Sequence, residues 1–375
     1  MPATLRKAIN AGETTARSIS FPDYGQTTTP GARSARAAFS PSLSPPPAMT
    51  PGGGFAPSPA ALNALSTARS AASRSPPRSH RGSSPARAPV ARYVPSPLVE
   101  AAKRGDGLTV IHLLTNDPNM DTNYPDEKGV TAIAHAAAFG EAKVCSHLLA
   151  RGADAGTVND YGSTTLHFAA VGGSVETAKL LMETNLAQKG AKGIDELNKA
   201  GDTPLMTAAM HGNADLIEAL VEEGAAVNPA RPSSGWQAIH LAAGKGRDDV
   251  VDLLVRQLNV KVDTKGEEGD TPLMHAAGGG HVSTVQLLLE LGAKVNAHNR
   301  YHATALHFAA GSGRDEVLTL LLSKGAAADA KDVASKWPSD WAHDHGHAKA
   351  VALLAPQLRR ASSKKTGLRG VLQVA

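Results

Sequence analysis

A short phrase returns in register along most of this chain. Thr131-Ala132-Ile133, Thr164-Thr165-Leu166-His167, Thr203-Pro204-Leu205-Met206 and Gln237-Ala238-Ile239-His240 are versions of it. Thr271-Pro272-Leu273-Met274, Thr304-Ala305-Leu306-His307 and a worn Trp337-Pro338-Ser339-Asp340 continue it. The first residues lie 33, 39, 34, 34, 33 and 33 positions apart. Such a period means one supersecondary unit copied many times, too small to bury its apolar faces without neighbours. The unit can be read from its third copy. Thr203 offers an N-cap hydroxyl, and Pro204 suits the first turn of a helix because its fixed φ is helical and its missing N–H is not needed there. Leu205, Ala208 and Ala209 share one helical face. Gly212 stops that helix, and Leu216, Ile217, Leu220 and Val221 form the stripe of a second helix that Gly224 ends. A turn centred near Gly235 leads to the next copy.

Departures from the period carry information. The second copy is expected to end its second helix at Asn185 and to carry about six extra residues within Leu186–Gly193, as a surface loop. His302 stands where other copies put the turn glycine. Leu98–Leu114 reads as an N-terminal cap, and the copy with Trp337, Asp340 and Trp341 as a C-terminal one. The period and the phrase resemble the ankyrin repeat over roughly residues 98–355. The resemblance implies an all-α repeat solenoid of stacked helix-turn-helix units with short β-turn tips. It further implies binding of another protein on the concave side.

The flanking segments differ in kind. Residues 1–97 hold 16 of the 24 prolines, with eleven basic and two acidic residues. They bury too little to offset their ordering entropy, so a disordered, basic Ser/Pro-rich segment is expected. The same Ser- and Arg-rich, acid-poor composition would suit a transit segment for a chloroplast or mitochondrion, although the bias runs far past the usual length. Residues 356–375 read as a flexible tail whose five basic residues meet no acid. With a formal net charge of +4, the middle therefore carries −10. The body is no nucleic-acid surface by charge alone. No apolar run is long enough for a membrane-spanning helix.

Chemistry-bearing residues are absorbed by the repeat. His167, His240 and His307 share one register and give way to Met206 and Met274, which marks a packing and hydrogen-bonding role. His343, His345 and His347 would face different directions on one helix, so no metal is expected. The single cysteine, Cys145, reads as a small buried core residue. Gly278-Gly279-Gly280 lacks the strand before it and the Gly-Lys-Ser/Thr after it that a phosphate loop needs. No nucleophile–base set stands outside repeat positions, so neither an enzyme nor a cofactor is expected.

The resemblance places partner contacts at the two residues before each turn glycine, the one after it, and the two before the helix-breaking glycine. The candidates so placed are Phe139, Tyr161, Met210, His211, Trp236, Lys245, Glu267, Glu268, Asp270, Arg300 and Tyr301. Only 4% of the chain is aromatic, yet Phe139, Tyr161, Trp236 and Tyr301 fall in these places, and aromatics are common binding anchors. Glu127, Asp160 and Asp202 add negative charge there, against Lys128 and Lys199. Eight Ser/Thr-Pro steps precede Leu98. Ser75 and Ser84 resemble proline-directed kinase sites, and Ser362 resembles a basophilic one. The expected function is a non-catalytic adaptor or scaffold, cytoplasmic or nuclear, whose basic tails fold back on the acidic face until phosphorylated. The alternatives are a regulatory or inhibitory subunit of an enzyme and an organelle-imported protein with a cleaved N-terminal segment.

Overall fold

The computed structural model describes residues 96–189 and 193–356. The segment before residue 96, the tail from residue 357 onward, and with them Ser75, Ser84 and Ser362, lie outside the described residues. The capping pair is α1 (Pro97–Lys103) and α2 (Gly107–Asn116). Units one to three follow: α3 (Ala132–Ala138) with α4 (Ala142–Ala150), α5 (Thr165–Gly172) with α6 (Val175–Lys189), and α7 (Pro204–His211) with α8 (Ala214–Glu222). Units four to six are α9 (Ala238–Gly244) with α10 (Asp248–Asp252), α11 (Pro272–Gly279) with α12 (Val282–Glu290), and α13 (Ala305–Gly311) with α14 (Asp315–Ser323). The closing pair is α15 (Pro338–Asp344) and α16 (348–356). First helices stack in order from α1 to α15 as an inner row, and second helices form an outer row.

The local chemistry follows the repeat phrase. The Thr203 hydroxyl accepts from the Met206 N–H at 3.2 Å, and Gly212 ends α7 at φ +83°. Leu205, Ala208 and Ala209 are fully buried, as are Ile217 and Leu220, because alanine lets the facing helices approach closely. Val221 is only half-buried, at the edge of that stripe. Cys145 is buried, and burial pushes its thiol up to about 12. Two length irregularities are absorbed in different ways. Helix α6 does not end at Asn185 but continues to Lys189, so the insertion after unit two begins as added helix rather than loop. In unit four the extra residue becomes a π turn at Leu253–Gln257, which returns Leu254 and Val260 to the core.

Units two, four and six satisfy a buried imidazole partly with their neighbour's backbone. His167 Nδ1 accepts from the Thr164 N–H at 3.1 Å while Nε2 donates to the Asp202 carbonyl at 2.9 Å. His307 repeats this with Thr304 and the Lys336 carbonyl, and His240 with Gln237 and the carbonyls of Thr264 and Asp270. A second periodic contact closes the inner helices. Asn213, Arg247, His281, Arg314 and His347 each follow a helix-ending glycine and donate to an open carbonyl on the preceding unit's inner helix. Those terminal carbonyls have no partner within their own helix. His347 is thereby engaged, and His345 donates to the Trp341 carbonyl. Among the described residues no group of three or more His, Cys, Asp or Glu could hold a metal ion.

The turns between units form fingers, numbered one to seven by their left-handed residue: Gly129, Gly162, Gly201, Gly235, Gly269, His302 and Ser335. Backbone bonds tie fingers one to two, two to three, four to five, five to six and six to seven, as in Asp160 N–H to the Lys128 carbonyl at 3.0 Å. Between fingers three and four the tie is instead a two-pronged ion pair. Arg231 Nε and Nη2 donate to the two carboxylate oxygens of Asp202 at 2.5 and 2.7 Å. Finger four holds an extra residue, and a groove of about 430 Å³ at α8 and α10 opens the outer row at the same junction. This junction forms a seam that departs from the rest of the stack in both its fingers and its outer row.

Two predictions follow from these contacts. Replacing Arg231 by Ala strands a buried carboxylate and should cost about 3–5 kcal/mol, with loss of amide protection stepping at the boundary of units three and four; unchanged protection there would remove the seam. The second concerns acid. Burial holds His240 down to about 3, with the neighbouring His275 adding to it, and burial holds His275 down to about 4. Below the unfolded value near 6.5 the unfolded chain takes up protons that the folded one refuses. Stability therefore rises with pH up to about 6.5 and is flat above it, by about 1.4 kcal/mol per pH unit for each such histidine. Urea midpoints between pH 5 and 7 should show this slope, reduced in His240→Met, the residue that units three and five carry in that place.

Candidate protein-binding face

The fingers are short antiparallel arms, and their alternation decides which side chains are free. The residue three before the turn centre pairs with the one after it, as in the Asn159 N–H to the Ser163 carbonyl at 3.1 Å. Opposed residues share a face, and this face points inward. An Asn or Asp takes the first position in most fingers. Asn299 Oδ1 accepts from the Tyr301 and Ala303 N–H groups, both at 3.0 Å. The second position reaches toward the next finger. Asp202 meets Arg231, Asp270 accepts from Asn299 Nδ2 at 2.8 Å, and Trp236 lies over Gly266. A Cβ on Gly266 would stand 2.8 Å from the indole, so a side chain there would have to displace the ring.

This geometry withdraws Asp270, Trp236 and Asp202 from the exposed tips that the sequence led us to expect. Asp270 is buried, and burial raises its carboxyl above the ordinary range, so it is no exposed acid for a partner. Trp236 is half-buried as a spacer between fingers, edge-on to His275 at 4.5 Å and with the Arg231 guanidinium 5.7 Å from its ring centre. Asp202, counted among the acidic tips, is buried as well. The acids left on the face are Glu127, Asp160 and Glu267, with Glu268 half-buried. Phe139 is half-buried against Gly105 of the capping pair, and Tyr161, Met210 and His211 are also half-buried. His211 donates through Nδ1 to the Thr207 carbonyl at 2.9 Å, and burial lowers its pKa.

Tyr301, Arg300, Glu267 and Lys245 remain exposed, and fingers five and six bring the first three together. The Tyr301 hydroxyl donates to Glu268 Oε1 at 3.0 Å, and Arg300 Nη2 donates to the Glu267 carbonyl at 2.5 Å. The ring is thus held upright at the tip, 37% exposed. The structure adds positions four residues before the turn centre, which point outward. Val158 and Leu197 are 53% and 47% exposed there, and Lys265, His298 and Lys331 follow in the same register. Alternation along an extended arm would have indicated them, since their neighbours one residue on face inward.

A family model for ankyrin repeats in three copies matches residues 98–193, 184–265 and 256–332. The chain belongs to the ankyrin repeat family. It is similar to the ankyrin repeat protein nuc-2 of Neurospora crassa, 27% identical over 201 residues, 46% of this chain and 19% of that protein. It is similar as well to the probable E3 ubiquitin-protein ligase XBOS32 of rice, 34% identical over 200 residues, 52% of this chain and 38% of that one. The solved ankyrin repeat domain of human ASB11 superposes with a TM-score of 0.51 at 30% identity, covering 59% of this chain and 96% of that domain. The chain thus spans well under half the length of these two full-length relatives. Ankyrin repeats are in general protein–protein interaction modules, typically without catalysis, and no described helix is long and apolar enough to cross a membrane.

The two aromatic candidates should separate experimentally. Trp236→Ala should cost about 1–3 kcal/mol, less than a fully buried tryptophan, because it opens the gap between fingers four and five. Tyr301→Ala should stay within about 0.5 kcal/mol. Thermal melts showing equal losses would contradict this division.

Proposed function

We propose that the chain is a non-catalytic adaptor or scaffold that holds another protein against its fingers and inner helices. The observation that carries this is the cluster of Glu267, Arg300 and Tyr301, side chains that folding leaves exposed on a stacked, hydrogen-bonded frame. A central aromatic flanked by charges is the composition of an interface hot spot. Lys245 and Lys199 extend the exposed face toward the earlier units. The absence of catalysis is part of the reading. The Cys145 thiol, at about 12, offers no thiolate at neutral pH, and His167, His240 and His307 are occupied with backbone. The same reading places the protein in the cytoplasm or nucleus, with kinases acting on Ser75, Ser84 and Ser362 to tune binding.

The test is affinity purification from native extract with the full chain and with a Glu267→Ala, Arg300→Ala, Tyr301→Ala variant. Proteins retained by the chain should lose at least tenfold in recovery with the variant while its melting temperature is unchanged. Identical recoveries would move the binding face elsewhere.

A further inference from the structure

Fingers five and six enclose a groove of about 490 Å³ with Lys265, Glu267, His298, Arg300 and His302 on its walls and the backbone of Gly266 and Gly269 in its floor. We propose that this groove binds a phosphomonoester carried on a serine or threonine side chain.

Its charge is unlike that of the body around it. The middle of the chain carries −10, yet this groove sets two permanent cations and two imidazoles against one carboxylate. Two other basic groups of the fingers are already committed. Arg231 is locked to Asp202, and the Lys331 ammonium lies 5.0 Å from the centre of the Trp337 ring. The cations of the groove keep spare capacity. Lys265 uses one of three donors on the His298 carbonyl at 3.4 Å, and Arg300 uses one of five on the Glu267 carbonyl at 2.5 Å. Each bond fixes the head group while its other N–H groups stay available. A phosphomonoester, with nearly two charges and three acceptor oxygens, matches that surplus better than a carboxylate does.

His302 is the second observation. Fingers one to five place glycine at the left-handed position, but finger six holds His302 there at φ +57°, exposed, its ring 5.2 Å from that of His298. Finger seven departs from glycine too, with Ser335 at φ +60°, but the side chain at the left-handed position in finger six adds an imidazole to the groove rim.

The proposal goes beyond partner binding at the Tyr301 tip, and its probe needs no protein partner, so either can fail alone. The full chain is titrated with O-phospho-L-serine, with serine and with N-acetyl-aspartate, and amide resonances are followed by NMR. Saturable shifts confined to residues 265–269 and 298–302 are expected with phosphoserine. Affinity should fall at least fivefold in Lys265→Gln/Arg300→Gln, with an unchanged melt. His302→Gly, which suits the backbone, should weaken binding by about twofold. Shifts spread over basic residues generally, equal binding of N-acetyl-aspartate, or indifference to the double substitution would overturn the proposal. A further arm decides the source: if prior phosphorylation of the chain at Ser75 and Ser84 abolishes binding of free phosphoserine, the ligand is the chain's own tail; if binding persists, it belongs to a partner.

Discussion

The stack depends on buried polar atoms that find their partners in the neighbouring unit. The imidazoles of His167, His240 and His307 each accept a hydrogen bond from their own helix start and donate one to a carbonyl on the next copy. An unmet donor at such a depth costs more than the bond itself contributes. A unit that separated would therefore leave the imidazole unpaired along with the alanine faces, and the units hold one another in register. The side chains that follow the helix-ending glycines add the same dependence at the other end of the inner helices. Arg247 and Arg314 bring positive charge to helix C-termini, where the dipole favours it.

The repeat tolerates variation where another interaction takes over a contact. Finger four contains an extra residue, and a neutral backbone tie is replaced by the Arg231–Asp202 pair. Such a pair gains strength from its buried setting but carries a desolvation penalty that a backbone tie does not. Beside it, Gly266 replaces the usual Asn or Asp because the Trp236 indole needs the room. Arg231 and Gly266 both lie against the Trp236 ring, so the three departures form one arrangement. The outer row opens at the same junction.

The candidate face shows how far a periodic rule reaches. Positions before the turn glycine did mark exposed residues, including Glu267, Arg300 and Tyr301. The position after it marked inward-facing ones, Asp202 and Asp270 as well as the half-buried Trp236. The reason is the arm's pairing: the residue after the turn sits opposite an inward-facing Asn or Asp and shares its side. A count from the glycine cannot express this, whereas the opposed hydrogen bonds can. The same pairing turns Val158, Leu197, Lys265 and His298 outward.

From the sequence alone came the unit, its boundaries at threonine and glycine, the all-helical stack and the structural role of its histidines. Each rests on local chemistry, the N-cap, the helix stop and the apolar period, repeated often enough to be unambiguous. Sequence could not decide how an insertion is accommodated. The residues after Asn185 continue a helix, and the extra one in unit four winds into a π turn, because packing against neighbours sets which solution keeps Leu254 and Val260 buried. Nor could it decide which tip residues are free. That depends on contacts between fingers about thirty residues apart, Asp202 with Arg231 and Asp270 with Asn299. Such contacts exist only once the units have stacked.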